Sequence, residues 1–166
     1  ANVLSYPYDT KDKTGNGVTF TDNGDGTITV NGTATGGNAN FVIKTGAKFD
    51  EGTFIISGCP SNKGETREYD IHLSLYKDDK LVVAFIDNGN GSKEFNCEEY
   101  EYDKYSLMIN IGLGAVCNNF VFRPKLYSSP TTTTLTVKNE NNEVQATYTP
   151  NVDGTVSGVK SVYPVM

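Results

Sequence analysis

The sequence predicts an all-β fold, a sandwich or jelly roll, and three observations carry that expectation. Apolar and β-branched residues alternate with a period of two along most of the chain. Clusters of Gly, Asn, Asp and Pro separate the alternating runs, as turns between short strands do. No window holds a sustained 3.6-residue apolar repeat flanked by helix caps. The length of 166 residues matches one domain, and 37% hydrophobic against 20% charged residues supply a packed core. Many short strands joined by tight turns bury their apolar faces as two stacked layers.

Element by element, the first hairpin has the strongest signal. Val18 and Phe20 alternate with Thr19 and Thr21, the chain turns through Asp22-Asn23-Gly24-Asp25-Gly26, and Thr27-Ile28-Thr29-Val30-Asn31 resumes the alternation. Such a turn is rich in residues that tolerate positive φ, which a tight hairpin demands. Further strands are expected at Asn40 to Thr45, Gly52 to Ser57, Tyr69 to Tyr76, Leu81 to Ile86, Tyr105 to Ile111 and Phe120 to Leu126. In Tyr69 to Tyr76, the set Tyr69, Ile71, Leu73 and Leu75 is expected inward, with Asp70, His72, Ser74 and Tyr76 on the opposite face. Tyr105, Leu107, Ile109 and Ile111 form the inward set of another strand. Leu81 to Ile86 is apolar on both faces and is expected to be a central strand covered from both sides. Composition then shifts: residues 128–134 read as a Ser/Pro/Thr linker, and Leu135-Thr136-Val137 pairs with Val144 to Tyr148 as a second hairpin. The tail 135–166 either packs on the sandwich or opens a further domain.

The composition also excludes function classes. Lys plus Arg total 14 and Asp plus Glu 20, a net charge of −6 with no basic run, so no nucleic-acid partner is expected. The longest apolar stretch, Leu81 to Ile86, falls far short of the roughly 20 residues of a membrane helix, so no membrane insertion is expected. No secretory apolar region opens the chain, and Ala1 is expected to be a trimmed or processed start. One histidine, His72, limits the chain to a single triad-type arrangement, and neither a Gly-x-Ser-x-Gly elbow nor a phosphate-binding Gly-Lys loop occurs. The three cysteines Cys59, Cys97 and Cys117 lack zinc-site spacing. At most one bridge can form among them, and three buried thiols, which suit assembly in a reducing compartment, are the expectation. The protein is expected to be no enzyme.

Several motifs remain to be weighed. Asp22 to Gly26 and Asp87 to Gly91 place glycine where a calcium loop needs its third ligand, so both read as turns. No cofactor is called for, although β-sandwich modules assemble structural calcium sites from distant loops. Glu94, Glu98, Glu99, Glu101 and Asp103 surround Tyr100 and Tyr102; carboxylates crowded in one loop read as a solvated face rather than the facing pair of a glycosidase. The aromatic content, 11% with ten Tyr and no Trp, points elsewhere. Aromatic faces pack on the C–H surfaces of sugar rings while neighbouring polar groups read hydroxyls. Tyr76, His72 and Asp70 share one strand face, and Tyr100 with Tyr102 form a second aromatic pair. These residues are the candidate platform, and without Trp any single contact is weak and needs several copies for useful affinity.

The chain also resembles a known family. Asn2-Val3-Leu4-Ser5-Tyr6-Pro7-Tyr8, leading into Asn16 through Thr35, looks like the opening of jelly-roll, carbohydrate-binding-module-like domains in phage and prophage tail proteins of gut Clostridia-type bacteria. Gly52-Thr53-Phe54-Ile55-Ile56-Ser57-Gly58-Cys59-Pro60 is similar to an internal strand of that family, and Phe120-Val121-Phe122-Arg123-Pro124-Lys125-Leu126 resembles its closing strand, with Lys125 where the family more often has Met. Val159 to Pro164 resembles a segment that follows in such proteins. The resemblance, over roughly residues 2 to 127, implies a jelly-roll β-sandwich over 1–127 located in a virion tail or outside the cell, and the strand pattern adds the C-terminal β-hairpin over 135–166. It brings no catalytic residues. Its blocks identify the scaffold and leave the ligand undefined; the expectation is a non-catalytic module contacting cell-surface glycan or polysaccharide beside other virion tail proteins, and Arg123 in the closing block joins the candidate ligand-binding set. The alternatives are a carbohydrate-binding module of a secreted glycanase or adhesin, and a purely structural assembly domain of a virion.

Overall fold

The computed structural model describes residues 3–50, 52–61, 69–128 and 135–148. By compactness the chain divides into two units, residues 1–128 and 129–166. The first unit is an antiparallel β-sandwich. One layer sets β1 (Lys13–Gly15), β2 (Val18–Asp22), β3 (Ile28–Thr33) and β10 (Val116–Phe122) side by side, and a second sheet aligns β11 (Lys125–Ser128), β5 (Thr53–Ser57) and β8 (Lys93–Asn96). Chain continuity joins these two sheets, since β10 and β11 are one path interrupted at Arg123-Pro124. Pro124 offers no N–H to a ladder. The Arg123 N–H donates instead to the Gly58 carbonyl at 2.9 Å. Gly58 takes φ +109°, and a Cβ there would collide with the Arg123 carbonyl. The expected single strand from Phe120 to Leu126 is therefore two strands with a break at the proline.

The opposing layer runs in the order β4 (Ala39–Gly46), β9 (Lys104–Ile111), β6 (Tyr69–Lys77) and β7 (Lys80–Asp87). Aromatic contacts stitch the layers together: Phe20 to Phe41 at 5.5 Å between centroids, Tyr69 to Phe122 at 5.8 Å, and Phe85 stacked on Phe95 at 4.3 Å. Tyr69, Ile71, Leu73 and Leu75 of β6 and Tyr105, Leu107, Ile109 and Ile111 of β9 are all buried, as their alternation predicts. Each fully buried aliphatic or aromatic side chain stabilises the sandwich by about 1.5–3 kcal/mol. Among the described residues there is no α-helix, only a 3-10 turn at Cys97–Glu99 capped by the Asn96 side chain.

One strand differs from expectation. β7 is an edge strand, not a central one, and Leu81, Val82 and Ile86 stand 60%, 41% and 42% exposed. Its inward residues Val83 and Phe85 pack on the core. The register shifts between Leu75↔Val83 and Tyr76↔Leu81, leaving Val82 as a bulge. The apolar run comes from an outward face that carries Leu81, Ala84 and Ile86 rather than from cover on both sides.

In the second unit β12 (Leu135–Lys138) pairs antiparallel with β13 (Val144–Tyr148). The Asn139 side chain closes the turn by accepting from the N–H groups of Asn141 and Glu143 at 3.0 and 2.9 Å. Residues 129–134 of the expected linker and the segment Val159 to Pro164 lie outside the described residues.

Candidate functional site

Register places the outward residues of the β4-β9-β6-β7 sheet in four rows. Asn40, Asn110 and Asp70 make the first; Val42, Met108, His72 and Ile86 the second; Thr45, Ser106, Ser74 and Ala84 the third; Lys104, Tyr76 and Leu81 the fourth. Two residues per row step separate His72 from Tyr76 by about 13 Å along the strand. Asp70, His72 and Tyr76 therefore do share one face. Their alternation in sequence points them out of the core because Ile71, Leu73 and Leu75 are held in it.

Asp70 and His72 form a pair, Oδ1 to Nδ1 at 2.9 Å, with side chains only 12% and 17% exposed. The carboxylate fixes the ring orientation through Nδ1. Beside the pair opens a recess of about 670 Å³ lined by Asp70, Ile86, Asn88, Asn90, Lys93 and Glu94 among others. Tyr76 sits at the other end of the face, half-buried, with the Lys104 ammonium 5.5 Å from its ring centroid.

The remaining candidates do not join that group. Tyr100 is half-buried and meets Phe85 edge-on at 5.7 Å. Tyr102 is in the core, 4% exposed, its hydroxyl accepting from the Phe49 N–H at 3.2 Å. Burial pushes the Tyr102 phenol up, and its ring is no platform for a ligand. The five carboxylates around these tyrosines are all exposed; Glu101 and Asp103 each stand 4.0 Å from the Lys77 ammonium. Arg123 lies apart, on a recess of about 320 Å³ with Leu4, Tyr6, Tyr8 and Asp25. No sequence period links these residues, which is why Tyr6 and Tyr8 escape a reading strand by strand.

Both Asp-Gly loops hold their oxygens in turn bonds. Asp22 accepts from the Gly24 N–H at 2.9 Å, Asp25 from the Thr27 N–H and hydroxyl at 2.9 and 2.6 Å, and Asp87 from the Gly89 and Cys59 N–H groups at 3.0 Å each. Among the described residues no group of three or more His, Cys, Asp or Glu side chains is arranged to hold a metal ion. None of the three cysteines is in a disulfide bridge; Cys97 and Cys117 are buried and Cys59 half-buried. Burial raises the Cys97 thiol to about 11 and the Cys59 thiol further, so both are protonated and poor nucleophiles at neutral pH. Comparisons with protein-family models, curated proteins and solved structures give no match for this chain.

Proposed function

We propose that the protein is a non-catalytic β-sandwich module of a phage tail or receptor-binding protein that contacts bacterial cell-surface glycan through the outward face of the β4-β9-β6-β7 sheet. The observation that carries this reading is the Asp70–His72 pair set between the recess at Asn88 and Asn90 and the Tyr76 ring on one open face. A held carboxylate, an imidazole and several amides read hydroxyls in directions fixed before binding, and the tyrosine offers an apolar surface. In this reading the pair binds and orients.

The test is a tetrameric form of the chain on an array of bacterial surface polysaccharides, where valency lifts weak contacts into view. A glycan should be retained, and Tyr76→Ala and Asp70→Ala should each weaken retention about tenfold with the circular-dichroism spectrum unchanged. Retention unaffected by both variants removes this face as the platform. No retention of any polysaccharide favours the second reading, a structural assembly domain, which draws on the exposed Leu81, Val82 and Ile86 along the β7 edge.

A further inference from the structure

The recess at Arg123 has the features of a built site. Tyr6 is 46% exposed, yet its ring is immobilised. Its hydroxyl donates to the two Asp22 oxygens at 3.2 and 3.1 Å, and it meets Tyr8 edge-on with centroids 5.5 Å apart. Tyr8 in turn donates to the Gly26 carbonyl at 2.6 Å. With both hydroxyls committed, the Tyr6 ring has only its apolar faces to offer, and ordering it costs a ligand nothing. Space flanks it on both sides: about 320 Å³ toward Arg123 and about 420 Å³ toward Pro7, Lys11 and Asp12. Clefts of roughly 300–1,000 Å³ suit small organic ligands.

Charge selects the ligand. Arg123 is exposed, and among the described residues its guanidinium has no hydrogen bond or salt bridge. Its backbone is fixed by the Gly58 bond and by Pro124. Arg123 and Lys125 face the Asp25 carboxylate, which is already occupied by Thr27. The Asp22 carboxylate, held by the Tyr6 hydroxyl, stands at the same ring, so Arg123 and Lys125 meet two carboxylates here, and what the recess offers an anion is the Arg123 guanidinium itself. A planar guanidinium fork matches a carboxylate in a bidentate way.

We infer that the recess between Tyr6 and Arg123 is a second saccharide subsite, one that takes a sugar bearing a carboxylate, stacked on Tyr6 with its acid group on Arg123. It is separate from the sheet face in both residues and test. The experiment is an amide-resolved NMR titration of the full chain with trigalacturonate and, as the neutral counterpart, the matching galactose trisaccharide. Trigalacturonate should shift amides at Tyr6, Gly26 and Lys125, and Arg123→Gln should weaken it about tenfold while leaving the neutral trisaccharide within about twofold. Tyr6→Ala should weaken both probes at this recess, read from the amides of Gly26 and Lys125. The inference is overturned if trigalacturonate shifts no amide in this recess, if Arg123→Gln binds it like the parent, or if Tyr76→Ala abolishes its binding. The last result would place the ligand on the sheet face and leave the proposed function standing.

Discussion

The two edges of the β4-β9-β6-β7 sheet end in opposite ways. Along β4 the N-terminal segment is strapped across the backbone. The Asp9 N–H donates to the Ile43 carbonyl at 2.9 Å, the Asp9 carboxylate accepts from the Thr45 N–H at 2.9 Å, and the Lys13 ammonium donates to the Asn40 carbonyl at 2.7 Å. The strap is itself anchored in the other layer, where the Val3 N–H reaches the Leu126 carbonyl at 2.7 Å. Along β7 no described strand follows, and the outward side chains are Leu81, Ala84 and Ile86. Proteins blunt open edges with charge, proline, bulges or cover. β4 has cover, whereas β7 has the Val82 bulge and Lys80 at one end. One sheet thus has a margin covered by backbone and side-chain bonds and a margin that ends in an edge strand.

The largest expected effect lies between the edges. Leu73 is fully buried on β6, paired to Leu107 of β9 on one side and to Phe85 of β7 on the other. Leu73→Ala should cost about 2–5 kcal/mol, the removal of buried methyl groups plus the cavity left behind. Denaturant titration measures it through the midpoint. A loss below about 1 kcal/mol would mean that the layers collapse around the gap and that the sheet centre does not tie the two edges together.

The difference between the edges was only half legible in sequence. The faces of β6 and β9 could be read because burial imposes a period of two, and the first hairpin because Asp22 to Gly26 carries positive-φ residues such as Gly24 at +81° and Gly26 at +90°. The edge position of β7 was not legible, since alternation within a strand reports which side chains face the core and nothing about neighbours in the sheet. Tyr102 reads as a platform residue in the sequence because its partner, the Phe49 N–H, comes from a distant stretch of chain. The Tyr6 recess is hidden for the same reason: Tyr6, Asp25 and Arg123 meet only through the fold. Lys13–Gly15 and Lys93–Asn96 are short strands whose sequences carry no apolar alternation, and their partners make them strands.

A middle-sized effect separates the strapped edge from the bare one. Tyr8→Phe removes the hydroxyl bond to Gly26 and should cost about 0.5–1.5 kcal/mol at neutral pH. The strap also carries an alkaline limit. Burial, then the negative charges of Asp22 and Asp25, hold the folded Tyr8 phenol above its ordinary 10.0. A raised folded value means that its contribution is complete below the unfolded value and is lost as pH climbs through the folded one. Unfolding free energy should therefore fall above about pH 10, and the fall should be shallower in Tyr8→Phe, which keeps the raised phenols of Tyr6, Tyr102 and Tyr105. Parallel curves for the two proteins would remove Tyr8 from the strap's energetics.

The smallest effect on stability belongs to β7, and it sharpens the contrast most. Leu81 is 60% exposed and stands opposite Tyr76 at the outer end of the hairpin. Replacing it with lysine removes little buried area, so Leu81→Lys should move the unfolding free energy by no more than about 0.5 kcal/mol. Solution behaviour should change more than stability. A charge on an open apolar edge opposes strand-to-strand contact between molecules, so light scattering should begin at a higher protein concentration than in the parent. A charge at Thr45 on the strapped edge, where the backbone is already taken up by Asp9, should leave that onset unmoved. Should Leu81→Lys cost as much as a core truncation, β7 would be covered in solution and the two margins would be alike. An onset that shifts for β7 alone, at constant stability, leaves the unpaired edge as the cause.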